Sequence, residues 1–162
     1  MNELAEFTSK WTLEDYPPRV VDREDLDATE RLLGLKFPMD YRFQVLKVGL
    51  PSPTLALLSA IIDRGVDLHD LSELYAPGEI VSATRDWRKI GIPQTLVAVG
   101  SDSLGNLFCF DEKNLQVERV AYAAVYHWDH DFKETEKMAG SFSDWIARYL
   151  GKWAEGIQAT DF

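Results

Sequence analysis

The segment His127-Trp128-Asp129-His130-Asp131 places two imidazoles and two carboxylates within five residues. Those are the side chains that ligate transition metals and pass protons. On a strand, side chains alternate between faces, so His127, Asp129 and Asp131 share one side while Tyr126, Trp128, His130 and Phe132 share the other. The two histidines then point apart. One His and two Asp make an incomplete ligand set unless another segment contributes, so neither a metal nor any other cofactor is expected. The plainer reading has Trp128 packing in the core, with Asp129 and Asp131 in solvent. The competing reading is an enzyme that uses the cluster.

Other chemistries find less support. Cys109 is the single cysteine, which excludes an intrachain disulfide and a cysteine-based zinc cluster, and it alternates within an apolar strand as a small buried side chain would. There is no Gly-x-Ser-x-Gly elbow around a nucleophile. Gly100 to Asn106 is glycine-containing, but no Walker lysine follows and a strand comes next, so it reads as a hairpin connection rather than a phosphate cradle. Arg85, Arg88 and Lys89 form a small basic patch flanked by Asp86 and not interleaved with aromatics on the sheet. No catalytic residue and no direct nucleic-acid contact is expected.

The elements that must position these residues follow from pattern. The 162 residues carry 17 Lys plus Arg against 27 Asp plus Glu, a net charge of −10, and 46% are hydrophobic, including five Trp. That suits one folded domain with a real core, not a chain that lives on phosphate attraction. Asp22 to Gly34 reads as a helix with Leu26, Thr29, Leu33 and the Glu30 stem inward. A second helix opens at Phe37-Pro38, with Tyr41, Val45 and Val48 at helical spacing. Leu55 to Ile62 fits a helix or a strand equally. Pro77 to Ile90 reads as a third helix with Ile80, Thr84 and Trp87 on one face, stopped by Gly91. Short β-type runs follow at Thr95 to Val99, Leu107 to Asp111, Val117 to Tyr122 and Val125 to Asp131, with connections too short for parallel crossovers. Ser141, with Asp144 three residues on, caps a last helix carrying Trp145, Ile146, Tyr149 and Leu150. The fold class is therefore α+β, a mainly antiparallel sheet flanked by helices.

Residues 1–19 read as an acidic N-terminal arm, 20–150 as the domain, and 151–162 as a tail in which Trp153, Ile157 and Phe162 can dock. Met1 to Glu30 hold nine acids and three bases, a distribution usual for a solvated tail or helix face. Glu3 and Glu6 stand where an export signal needs a basic region. The longest nearly apolar stretch, Leu55 to Ile62, falls far short of the roughly 20 residues that span a bilayer. A cytoplasmic protein with no membrane contact is expected, in keeping with the lone cysteine.

Taken in order, several motifs resemble the SUKH superfamily, the Smi/Knr-like domain. They are Leu33-Gly34, Phe37-Pro38 with Asp40-Tyr41-Arg42, Ile92-Pro93, and Val99-Gly100 with Asp102, Gly105-Asn106, Phe108 and Phe110-Asp111. Val125-Tyr126 with Trp128 to Asp131, and Ser141-Phe142 with Asp144-Trp145-Ile146, complete the set over about Val20 to Leu150. One departure is Val48-Gly49-Leu50-Pro51, where members often carry an Asn-Gly-Gly type turn. The resemblance implies an α+β fold and a non-catalytic role. For bacterial members it implies an immunity protein that neutralises a toxin, commonly a nuclease or deaminase.

Three readings follow: an immunity protein bound to a cognate toxin domain, an interaction or regulatory module in cell-wall or signalling assembly, and a metal-dependent enzyme. The first leads on the resemblance; the sequence does not separate it from the second, and the lack of a titrated catalytic pair disfavours the third. The immunity protein's contact surface is expected on an acidic rim: Asp129 and Asp131 outward from the strand, Glu134 beyond its end, and Asp102 and Asn106 on the neighbouring turn. An acidic rim speeds encounter with a basic partner.

Overall fold

The computed structural model describes residues 1–115 and 118–162. The chain opens with a helix that the sequence reading left out. Leu4, Phe7 and Trp11 recur at helical spacing and form the fully buried side of α1 (Glu3–Trp11). Residues 1–19 are thus no solvated arm: their apolar side closes the core, and Glu6, Glu14 and Asp15 face water. The reason is composition by face, because a charge count over a segment hides an amphipathic stripe.

Helix α2 (Arg23–Leu33) buries Leu26, Thr29 and Glu30 and ends on Gly34 in the left-handed conformation at φ 67, a backbone state that costs glycine little. Leu33, expected in the core, is only partly buried. Helix α3 (Met39–Val48) follows Pro38 and buries Tyr41 and Val45 as expected, together with Asp40 and Gln44. Gly49 then turns at φ 95, where a Cβ would stand 2.5 Å from the Arg19 carbonyl oxygen. Only glycine lets the chain make the Arg19 to Leu50 bridge there. The ambiguous apolar run becomes α4 (Ala56–Asp63), and α5 (Pro77–Arg88) carries Ile80 and Thr84 inward.

Among the described residues five antiparallel strands pair in the order β1-β2-β3-β4-β5: Glu73–Leu74, Leu96–Ser101, Leu107–Asp111, Val125–Asp129 and Glu134–Ala139. Both faces are covered. Val97, Val99, Phe108, Phe110 and Val125 join α1, α3 and α6 (Phe142–Ala147) in the main core. Leu96, Ala98, Leu107, Cys109 and Trp128 face the other way, under Tyr75, Ala83 and Trp87.

One expected strand is missing, and one strand is unforeseen. Of the run Val117 to Tyr122, Val117 lies outside the described residues, and 118–122 form no strand. Instead the Val120 and Ala121 carbonyls accept the N–H groups of Met39 (2.9 Å) and Asp40 (3.2 Å) at the start of α3, which an α-helix leaves without intrahelical partners. The strand β5 went unforeseen because Glu134 to Lys137 are all exposed and carry no apolar alternation. Beyond Gly151, Trp153 stacks on Trp11 with centroids 6.1 Å apart and Ile157 packs on the core, while Phe162 stays exposed. Among the described residues no helix is long and apolar enough to cross a membrane.

Asp40 is fully buried and accepts the N–H groups of Tyr41 (2.8 Å) and Ser143 (2.9 Å). Burial holds its carboxyl above the usual range despite those bonds. The folded state therefore keeps the proton to higher pH than the unfolded one. Stability from this site is present at low pH and falls as pH rises from the unfolded value through the folded one. Asp40→Asn should remove that decline, read as the difference between wild-type and variant urea titrations from acid to neutral pH. Parallel curves would show that Asp40 does not titrate differently on folding.

Candidate functional site

The β2–β3 turn and the β4–β5 turn lie at one end of the sheet and are tied together by side chains. Asp102 Oδ1 accepts the backbone N–H groups of Leu104 and Asn106, both at 2.9 Å. Its Oδ2 accepts Asn106 Nδ2 at 3.2 Å and faces His127 Nε2 at 2.9 Å. Burial would raise the Asp102 pKa, but the bonds from His127 and Asn106 outweigh it and hold the carboxyl below its usual range. Asn106 Oδ1 in turn accepts the His130 backbone N–H at 3.2 Å and lies 2.7 Å from His130 Nδ1. Asp102 and Asn106 are each 5% exposed, so both are committed to this internal network and present almost no surface to a partner. That corrects the expectation that they belong to a contact rim.

His127 and His130 do point apart, as alternation requires. The His130 ring lies near Trp87. His127 is 2% exposed, on the face packed against Phe108 (5.3 Å between centroids). Alternation puts His127 on the side of Asp129, expected to face solvent, but both faces of the sheet are covered and the ring is enclosed. A second imidazole, His69, lies flat on it, with centroids 3.6 Å apart and planes 1° apart. His69 sits in the segment between α4 and β1, and Tyr149 Oη donates to its carbonyl at 2.7 Å. His69, Asp102 and His127 offer ligand atoms within 4.8 Å of one another. No sequence spacing announces this set, because 33 and 25 residues separate its members.

Strand β4 stops at Asp129 because its Oδ1 accepts the N–H groups of Asp131 (2.8 Å) and Phe132 (3.0 Å), which turns the chain. Those bonds also hold its carboxyl below the usual range. Asp131 and Glu134 are exposed. Phe132, expected in the core with Trp128, is 74% exposed at the turn, and Leu104 is 78% exposed on the turn beside it. The period-two argument failed for Phe132 because the strand had already ended. Trp128 is fully buried, with the Lys133 ammonium 5.2 Å from its ring centroid.

Cys109 and Ser103 are both engaged. Burial pushes the Cys109 thiol far up, and the Ser103 hydroxyl donates to Asp70. The arrangement braces two turns and displays on them two apolar side chains among carboxylates. The sequence profile of the SMI1 / KNR4 family (SUKH-1) matches residues 21–148. No curated protein matches the chain.

Proposed function

Because the chain belongs to the SMI1 / KNR4 family (SUKH-1), we propose that it is a cytoplasmic, non-catalytic immunity protein that binds and neutralises a cognate toxin domain, a nuclease or deaminase by class. The observation that carries this reading is the braced end of the sheet. Leu104 and Phe132 stand out of it at 78% and 74% exposure, and Asp129, Asp131 and Glu134 lie within three residues of Phe132 on the β4–β5 turn. Apolar anchors inside a charged surround are how protein contact sites concentrate their binding energy. A carboxylate surround favours a basic partner and raises its association rate. Support also comes from the net charge of −10.

The test is co-expression with toxin domains encoded beside its gene, followed by titration of the purified pair. Protection of growth and a one-to-one complex are expected. Asp131→Lys with Glu134→Lys should leave folding within about ±0.5 kcal/mol per site, weaken binding, and flatten its salt dependence. Asp129 is left alone, since its carboxylate holds the turn. Phe132→Ala should weaken binding by roughly tenfold or more, the scale of a central aromatic anchor. A folded double-reversal variant that binds as tightly as wild type across a salt series would remove the rim from the interface. Failure to protect against any such toxin would favour an interaction or regulatory module of the same fold.

A further inference from the structure

Independently of that reading, we propose that His69, Asp102 and His127 form a binding site for a divalent transition cation of the zinc class. Three separate parts of the chain bring these side chains together: the segment before β1, the β2–β3 turn, and β4. One face of β4 supplies a single histidine and needs a further ligand. His69 is that ligand.

The donor set suits such an ion. Two imidazoles and a carboxylate match the nitrogen and oxygen preferences of zinc, which binds His nitrogen at about 2.0–2.1 Å and carboxylate oxygen at about 2.0–2.2 Å. The 2.9 Å between His127 Nε2 and Asp102 Oδ2 is a hydrogen-bond separation, which a tetrahedral ion at these bond lengths would open to about 3.4 Å. Coordination at Nε2 requires the remaining proton of that ring on Nδ1. Asp102 is held in place by the N–H groups of Leu104 and Asn106 on its other oxygen, an outer layer of the kind that orients metal ligands.

An imidazole nitrogen binds in the plane of its ring, and the two ring planes are parallel with centroids 3.6 Å apart, so His69 must turn to aim at the same point. It is able to: its side chain is 37% exposed, whereas those of His127 and Asp102 are 2% exposed. The same exposure gives the ion a way in from solvent. Glu136, the register partner of His127 on β5, has Oε2 3.6 Å from His69 Nε2 and stands where it can supply a fourth ligand.

Calorimetric titration of the full chain with zinc chloride in a non-chelating buffer tests this. One saturable, submillimolar site per chain is expected, with the imidazole nitrogens of His69 and His127 shifting in long-range 15N spectra and those of His130 unmoved. His69→Ala alters a half-exposed side chain, so it should fold as wild type does. It should weaken zinc more than the roughly 10-fold lower bound seen when a mere outer partner of a ligand is removed. His130→Gln should leave binding unchanged. Absence of saturable binding, or a site that His69→Ala leaves intact, would overturn the proposal. So would resonance shifts confined to His130.

Discussion

Changing Trp145 to Ala should lower the unfolding free energy by about 3–5 kcal/mol, the usual cost of emptying a large aromatic site in a core. Trp145 is fully buried. Its ring meets Phe108 at 4.6 Å, Phe142 at 5.8 Å and Tyr149 at 6.1 Å between centroids. Its Nε1 donates to Tyr149 Oη at 3.1 Å, and the same Tyr149 hydroxyl holds the His69 carbonyl. Against a typical total of about 5–15 kcal/mol for a domain, the loss is large enough to show as a clear drop in the urea midpoint. An unchanged midpoint would mean the site collapses without cost, against the packing described.

Glu30→Ala should cost a similar amount for a different reason. The carboxylate is 3% exposed. It accepts the Phe37 backbone N–H (2.7 Å), Arg42 Nη1 (3.1 Å) and both terminal nitrogens of Arg119 (2.5 and 3.2 Å). Truncation would leave two guanidiniums short of their counter-charge and a buried N–H without an acceptor. Breaking a buried ion pair from one side costs about 3–5 kcal/mol. Arg42 retains Asp27, and Arg119 retains the Phe37 carbonyl at 2.8 Å, so those contacts soften the loss. Chemical denaturation of the variant reads the cost directly. A change within about 0.5 kcal/mol, the range of an ordinary surface substitution, would show that water replaces the carboxylate freely.

Glu30 also marks the limit of what sequence pattern reveals. Its position on the inward side of α2 follows from helical spacing, but its ion pair with Arg119 spans 89 residues and has no periodic signature. The same division runs through the molecule. Helices α2, α3, α5 and α6 and strands β2 to β4 were legible because apolar periodicity, a start signal such as Ser141 and a stop signal such as Gly34 act locally. Helix α1 was obscured by the carboxylates on its outer face, and β5 by having no apolar alternation. In the site, alternation along β4 set His127 and Trp128 on opposite faces, and His130, one residue past the strand end, still lies near Trp87 on the Trp128 side. The stacking of His69 on His127, the burial of Asp102 and Asn106, and the outward Phe132 did not follow from alternation, because each depends on how distant segments or chain ends meet.

The strand β5 has a bearing on how concentrated this protein can be. It is the last strand of the sheet, so its outer row of N–H and C=O groups is a template on which another chain can pair. A protein proposed to act one-to-one must be present at least as abundantly as its target, which is the condition under which copies meet most often. Glu134, Glu136 and Lys137 along that strand are exposed. Two copies approaching edge to edge would have to bring these charges out of water and set carboxylate near carboxylate. The residues that hid β5 from a reading of apolar pattern thus act as a deterrent to fibrous self-association, leaving the molecule free to stay in solution at high dose.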